Sequence, residues 1–447
     1  MENVSTLVCT ICGAEYKPSE VEYICTHTHP NPGNLTVEYD MNKVKAQIAS
    51  DEASKATWPT WTGMWRYRAF LPLPLRDASS PSTILPEVAS LSVGNTPLVP
   101  STELAAELNL KEVWIKDDGR NPSASLKDRA SALVALKAKL EQRPIVATAS
   151  TGNAAAALSC VCAGLKQPCV IFVPAAAPEA KRTQLVVYGA QVVLVEGTYD
   201  DAFELCQRAC QRFGWYCRST GYNPYTVEGK KTVSFELCEQ LYRRHHWAEG
   251  VCEGKLVFEA PDYVAVSVGD GNIVSGVHKG LKDLYAAGLI DKMPRIIGVQ
   301  ADGSASIANA YKTKFDFAKE PLPEIDAQTV ADSISAGTPR DPLRAVQAAT
   351  QTEGAYVCVS DAEILDAIPM FARKTGVFAE PAGATTLAGV IKAKKEGLIE
   401  DGKTLVIINT GNGLKDIVSA KKSVEGQVDL VRRVQKGDLE TLEKIFG

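Results

Sequence analysis

Positive charge is in short supply in this sequence. Its 48 lysines and arginines stand against 53 acidic residues, a formal net charge of −5. A general nucleic-acid binder needs a basic face to neutralise phosphates, so the balance argues against that class. The opening "MENVSTLVCT" has neither a basic stretch nor a long apolar run of the secretory kind. Repeats at solenoid periods and low-complexity tracts are absent too. Long hydrophobic runs are limited to residues 145–165, "IVATASTGNAAAALSCVCAGL", and there Gly152-Asn153 and the hydroxyl residues interrupt the run. A buried strand, a polar turn and a buried helix account for it better than a membrane span. The twelve cysteines are scattered, which fits free thiols in a reducing cytoplasm.

With 45% hydrophobic and 23% charged residues over 447 positions, the chain has ample material for a large globular enzyme with an appendage. The appendage is the N-terminus. "LVCTICGAEY" supplies Cys9 and Cys12, and "YICTHTHP" supplies Cys25, His27 and His29. Cys9, Cys12, Cys25 and His27 make a candidate set for a structural zinc, although a single Cys-x-x-Cys knuckle is a weaker signal than two. A ribbon that folds without metal is the plain alternative. Residues 57–75, "TWPTWTGMWRYRAFLPLPL", form an aromatic, Pro-rich connector whose tryptophans wrap a hydrophobic surface.

From about residue 95 a different pattern begins. Short β-branched runs ("EVWIK", "PIVATAS", "PCVIFVP", "QVVLVE", "YVAVSVG", "RIIGVQA", "AYVCVS", "TLVIINTG") alternate with helical-period stretches such as "SALVALKAKLEQ" and "NIVSGVHKGLKDLYAAG". This predicts an α/β fold with mostly parallel sheets covered on both faces. The charged tail "VDLVRRVQKGDLETLEKIFG" reads as one or two amphipathic helices.

Three of the predicted strands end in a Gly/Asn turn that opens a helix: Ser150-Thr151-Gly152-Asn153, Gly269-Asp270-Gly271-Asn272 and Thr410-Gly411-Asn412-Gly413. The carboxyl ends of strands border the ligand crevice of an open α/β sheet, and helix N-termini bind anions. Without Cβ atoms, Gly269 and Gly271 let backbone come close to a phosphate. One such turn is weak evidence, and neither G-x-G-x-x-G nor G-K-[ST] is present, so dinucleotide and P-loop sites are not favoured. Three turns together with the isolated lysine of "NPSASLKDRAS", Lys127, are far more specific. By itself Lys127 could be a solvated lysine at a helix start.

These motifs resemble those of the fold-type II pyridoxal-phosphate enzymes, most of all the threonine synthase family. The likeness runs through "SVGNTPL", "NPSASLKDRAS", "ASTGNAAAA", "NPYTVEGKKTVSFE", "GDGNIVSGVHKG", "EPAGATTLAG" and "NTGNGLKD", in family order over nearly the whole chain. The N-terminal knuckle is also shared with many family members. The resemblance implies a tryptophan synthase β-like fold of large and small open α/β domains behind a zinc-ribbon-like segment. It divides the chain into a ribbon (1–45), a large domain (46–144 and 241–447) and a small domain (145–240). It implies pyridoxal 5'-phosphate, with Lys127 as covalent anchor and proton carrier. The turn Gly269, Asp270, Gly271, Asn272, Ile273 would hold its phosphate, Asn153 its ring hydroxyl and Thr410 its pyridine nitrogen. A neutral hydroxyl at that nitrogen does not enforce protonation, which suits elimination and replacement. Ser150, Thr151 and Gly152 would receive the substrate carboxylate, and Glu380 lies near the active-site mouth or only shapes the turn before Pro381.

The implied reaction converts O-phosphohomoserine and water into threonine and phosphate in a cytoplasmic homodimer, with no nucleic acid or membrane partner. Most departures from the family pattern fall on the substrate side. Ala154 replaces a hydroxyl, Gly221 a serine, and Thr226 the arginine that grips the substrate phosphate; Ala124 and Leu126 replace Gly and Phe beside the lysine. Losing a guanidinium removes charge-assisted bonds that a threonine cannot replace, and Lys181, Lys230 or Lys231 would have to compensate. A β-eliminating or β-replacing relative, acting on threonine, serine or a phosphoserine-type substrate, is therefore the alternative.

Overall fold

The computed structural model describes residues 3–53, 63–77, 80–177, 179–246 and 255–426, with isolated positions beyond. Trp58 and Trp61 of the connector and the expected tail helices lie largely outside the described residues. Trp65, from the same connector, is buried, and its indole N–H donates to Leu91 O at 3.0 Å.

The N-terminal ribbon is a three-stranded antiparallel sheet, β1 (Val4–Cys9), β2 (Glu15–Tyr16) and β3 (Leu35–Tyr39), in the order β2-β1-β3. A short antiparallel pair follows, β4 (Arg76–Asp77) and β5 (Ser80–Ile84). The large sheet takes β6 (Leu98–Pro100) and β7 (Glu112–Asp117) first. The small sheet is then inserted: β8 (Val146–Ala149), β9 (Cys169–Pro174), β10 (Gln191–Val195) and β11 (Tyr216–Cys217). The chain returns to the large sheet for β12 (Tyr263–Ser267), β13 (Arg295–Ala301), β14 (Ala355–Val359) and β15 (Thr404–Asn409).

The small sheet is parallel throughout, in the order β10-β9-β8-β11. The large sheet runs β14-β13-β12-β15-β7-β6, parallel except for its edge strand β6. Covered central strands read as unbroken apolar runs, as parallel sheets require; all five residues of β12 and all six of β15 are buried. Edge strand β10 is mostly exposed instead. Helices Tyr225–Lys230 and Thr232–His245 pack against helix Asn272–Ala286, on the large-sheet side.

Local sequence sets the element ends. Helix Tyr199–Phe213 starts in a capping box of Thr198 and Asp201 and stops at Gly214, whose φ of +69° is left-handed. Its buried face carries Ala202, Cys206, Ala209 and Cys210, at helical spacing, against β8 and β9. Cys206, Cys210 and Cys217 meet there as buried free thiols. Among the described residues, no helix is long and apolar enough to cross a membrane. Residues 145–165 fold as strand β8, a turn and helix Asn153–Leu165.

Candidate active site

The carboxyl ends of β8, β12 and β15 carry the three turns. A cavity of about 410 Å³ lies between the sheets, its walls including Lys127, Ser150, Thr151, Gly152, Asn153 and Asp270.

Lys127 is the first residue of helix Lys127–Leu140. The segment before it is stitched to the third turn: Leu126 N–H donates to Thr410 O at 2.9 Å, Asn412 N–H to Ala124 O at 3.1 Å, and Ser125 bridges to Gly411. Thr410 is thus buried one hydrogen bond from the lysine segment. The Asp-Arg pair that follows Lys127 fixes the helix start. Asp128 accepts from Ser123 N–H at 2.7 Å and Ser123 Oγ at 2.5 Å. Fully buried Arg129 donates to Asp118 (2.6 and 2.9 Å) and Glu236 (2.9 and 2.8 Å). Burial lowers the Lys127 ammonium to about 8, against the opposing pull of Asp270, so the free amine is accessible near neutral pH.

The turn at 269–273 has no side-chain cap on helix Asn272–Ala286, leaving its first backbone N–H groups as an anion site. The role of its glycines differs from expectation. A Cβ on Gly269 would stand 2.7 Å from Ile334 Cα, and one on Gly271 (φ +88°) would collide with Asp341 O. The close approach they allow is to the chain's own 334–341 segment, which is laid over the turn. Asn272 faces inward, donating to Asp341 at 2.8 Å and accepting from Lys230 and, at 3.2 Å, from Thr226.

Beside this turn lie two buried cations, Lys230 and Arg218. Lys230 is fully buried; burial, Lys127 and Arg218 all push its ammonium down. Arg218 is also fully buried, donating to Ser131 (3.1 Å) and Thr220 (2.8 Å), and burial lowers it to about 10. Its Nη2 has no hydrogen-bond partner among the described residues. A buried cation with an orphaned donor, beside an uncapped helix N-terminus, fits a bound phosphate group.

Asn153 opens helix Asn153–Leu165, which likewise has no side-chain cap. Its amide donates to Glu380 at 2.7 Å and Ser333 at 3.2 Å. Burial raises the Glu380 carboxyl to about 7, opposed by Lys415, Asn153 and Lys127. Glu380 therefore contacts Asn153 as well as standing before Pro381.

On the substrate side, Thr226 is fully buried and its hydroxyl donates to Asn223 O at 2.8 Å. Lys231 is locked to Glu228 and Asp283 at 2.5 and 2.7 Å, and Lys181 pairs with exposed Asp332 at 2.6 Å. Sequence reasoning missed two arginines: Arg218, and Arg340 on the cavity wall. A lone arginine in a loop such as "GTPRDP" carries no periodic signal.

In the ribbon, the thiols of Cys9, Cys12 and Cys25 and the ring of His29 lie with ligand atoms within 4.8 Å of one another. His29, rather than the expected His27, completes the quartet. Its Nε2 stands 3.3 Å from Cys25 Sγ and 3.5 Å from Cys9 Sγ, whereas the His27 ring contacts the Cys12 thiol, at 3.5 Å, among the described residues. Burial pushes the Cys25 thiol up, but hydrogen bonds from Tyr16 and His29 outweigh it and bring the thiol to about 6. Three thiols and an imidazole form a suitable donor set for tetrahedral zinc.

Fold and site together define a pyridoxal-phosphate enzyme of fold type II. A family model described as "Pyridoxal-phosphate dependent enzyme" matches residues 89–411. The solved threonine deaminase isoform 2 of Solanum lycopersicum aligns with a TM-score of 0.60 at 18% identity, over 91% of this chain and 97% of that one. Maize serine racemase aligns at 0.59 with 23% identity, over 75% and 93%. These two likenesses concern the fold. Within the class, threonine synthase of Methanocaldococcus jannaschii is 32% identical over 98% of both chains, and that of Bacillus sp. (strain ULM1) 36% identical over 73% of this chain and 85% of its own. The chain belongs to the threonine synthase family.

Proposed function

We propose that the protein converts O-phosphohomoserine and water into threonine and phosphate. The observation that carries this is full-length likeness to threonine synthases combined with Lys127, its ammonium lowered to about 8, at the floor of a cavity with two uncapped helix N-termini. Bound pyridoxal phosphate would supply the electron withdrawal that makes protons at Cα and Cβ of the substrate removable. Lys127 would anchor it; the Gly269–Ile273 amides, Arg218 and Lys230 would hold its phosphate, with Asn153 and Thr410 at the ring.

The remaining work falls to the chain's own groups. Ser150, Thr151 and Gly152, at the start of helix Asn153–Leu165, hold the substrate carboxylate. The freed amine of Lys127 carries protons between Cα, Cβ and Cγ as the Cγ–O bond breaks and phosphate leaves with its bridging oxygen. Water then supplies the hydroxyl at Cβ. Glu380, near its midpoint at neutral pH, keeps Asn153 oriented. The ribbon quartet, Cys9, Cys12, Cys25 and His29, holds a structural zinc in this reading.

The division into ribbon (1–45), large domain (46–144 and 241–447) and small domain (145–240, with helices Tyr225–Lys230 and Thr232–His245 at its end packed on the large-sheet side), the homodimer and the cytoplasmic location belong to the same proposal. They rest on the family resemblance and, for location, on the free thiols. One observation favours the β-eliminating alternative: buried Thr226 offers no charge for a substrate phosphate. The test is incubation of the holoenzyme with O-phosphohomoserine, threonine, serine and phosphoserine in parallel. Equal release of phosphate and threonine from the first is expected; 2-oxo acid from the others with no threonine formed overturns the assignment.

A further inference from the structure

We propose that Arg340 binds the phosphate of the substrate side chain, supplying from the 334–341 segment the charge that the family pattern places at position 226. This rests on the function proposed above and names the specificity determinant of that site.

Four observations converge. First, among the described residues Arg340 and Lys127 are the cationic side chains on the wall of the 410 Å³ cavity. Lys127 sits by the cofactor turns, so Arg340 is the cation left for a distal anion. Second, the other candidates are placed elsewhere: Lys231 is held by two carboxylates and Lys230 by the inner side of Asn272, and Lys181 is not on the cavity wall.

Third, the family departure at position 221 makes room for Arg340. Gly221 has φ +77°, and a Cβ there would stand 2.6 Å from Arg340 O and 2.7 Å from Arg340 Cβ. A serine at this position, as in the family pattern, would expel the loop. Asn34 of the ribbon clamps both strands of this contact, donating to Gly221 O and, at 3.1 Å, to Arg340 O. The next residue, Asp341, is tied to the cofactor turn through its N–H to Asp270 O at 2.9 Å and through Asn272. Arg340 is therefore held at a fixed spacing from the phosphate turn. The loss of serine at 221 and of arginine at 226 becomes one coordinated exchange.

Fourth, the guanidinium is available. It lies 4.6 Å from the Phe203 ring centroid and pairs with Asp200 at 2.5 Å, a carboxylate whose side chain is 59% exposed. An exposed pair of this kind is weak, whereas a phosphate dianion offers bidentate, charge-assisted bonds. Asp200 then acts as a placeholder that the substrate displaces.

The test compares Arg340→Gln and Asp200→Asn with the wild-type holoenzyme. With O-phosphohomoserine, Arg340→Gln is expected to raise KM by about 50-fold or more, the scale of a lost guanidinium–phosphate pair. Its cofactor absorbance and its affinity for L-threonine, read from the same absorbance, stay unchanged. Asp200→Asn is expected to lower KM, because the competitor is gone. A KM change below about 3-fold in Arg340→Gln, a parallel loss of L-threonine affinity, or loss of the cofactor spectrum overturns the proposal. If the wild type does not turn over O-phosphohomoserine, the proposed function falls separately. Arg340 is then judged by spectral titration with O-phosphoserine: a tenfold or greater loss of affinity in Arg340→Gln supports it, and a smaller loss overturns it.

Discussion

The two halves of the active site are built differently. Around Lys127 the supports are buried and ionic: Arg129 is held between Asp118 and Glu236 with none of its side chain exposed, and Lys116 joins them at 2.8 Å from Glu236. At the mouth the supports are partly exposed pairs, Lys181 with Asp332 and Arg340 with Asp200, which tie small-sheet helices to the 324–341 segment. A cofactor that stays needs a site that does not move; a substrate that enters and leaves needs contacts that exchange at little cost. In the family resemblance most departures fall on the substrate half, with Ala124 and Leu126 departing beside Lys127.

The comparison can be broken most severely at Lys127. Lys127→Ala should reduce turnover at least about 1,000-fold, losing both anchor and proton carrier. Borohydride reduction of the wild type should leave the cofactor on the peptide containing Lys127, and mass spectrometry checks this. Arg129→Met tests the buried half as structure. It leaves Asp118 without its ion-pair partner and Glu236 with Lys116 alone, and should cost about 3–5 kcal/mol in urea unfolding.

Glu380 sharpens the comparison through pH. Its carboxyl lies at about 7 in the fold against an ordinary 4.5. The folded state therefore holds a proton that the unfolded chain has released, so stability is full below about 4.5 and declines as pH rises through 7. Glu380→Gln should flatten this decline by roughly 2 kcal/mol between pH 5 and 8.5. Asp128, raised by burial to about 7, leaves a residual slope. The smallest effect belongs to the ribbon. Asn31 of the ribbon donates to Phe317 O and Glu320 O at 2.8 and 2.7 Å, and Asn34 clamps Arg340. On the proposed zinc assignment, Cys12→Ser should raise KM a few-fold with kcat nearly unchanged, and metal analysis should show zinc in the wild type and its loss in the variant.

Much of this architecture was legible because burial writes itself into sequence. All eight β-branched runs are strands, and the Gly/Asn turns fall at strand ends because only there does the chain reverse beside an open crevice. What stayed hidden is non-local. Nothing near "LKDR" announces that Arg129 would meet Glu236, 107 residues away. His27 and His29 have equivalent spacing arguments, and only the fold of the ribbon selects between them. Gly221 read as a missing serine because its neighbour across space, Arg340, lies far along the chain.

The most direct measurement follows oxygen. Turnover of O-phosphohomoserine by the holoenzyme in ¹⁸O-labelled water should put one label in the Cβ hydroxyl of threonine and none in phosphate, because the Cγ–O bond breaks and water adds at Cβ. Label in phosphate, with homoserine as the other product, would mean that the P–O bond is cleaved and would contradict the account.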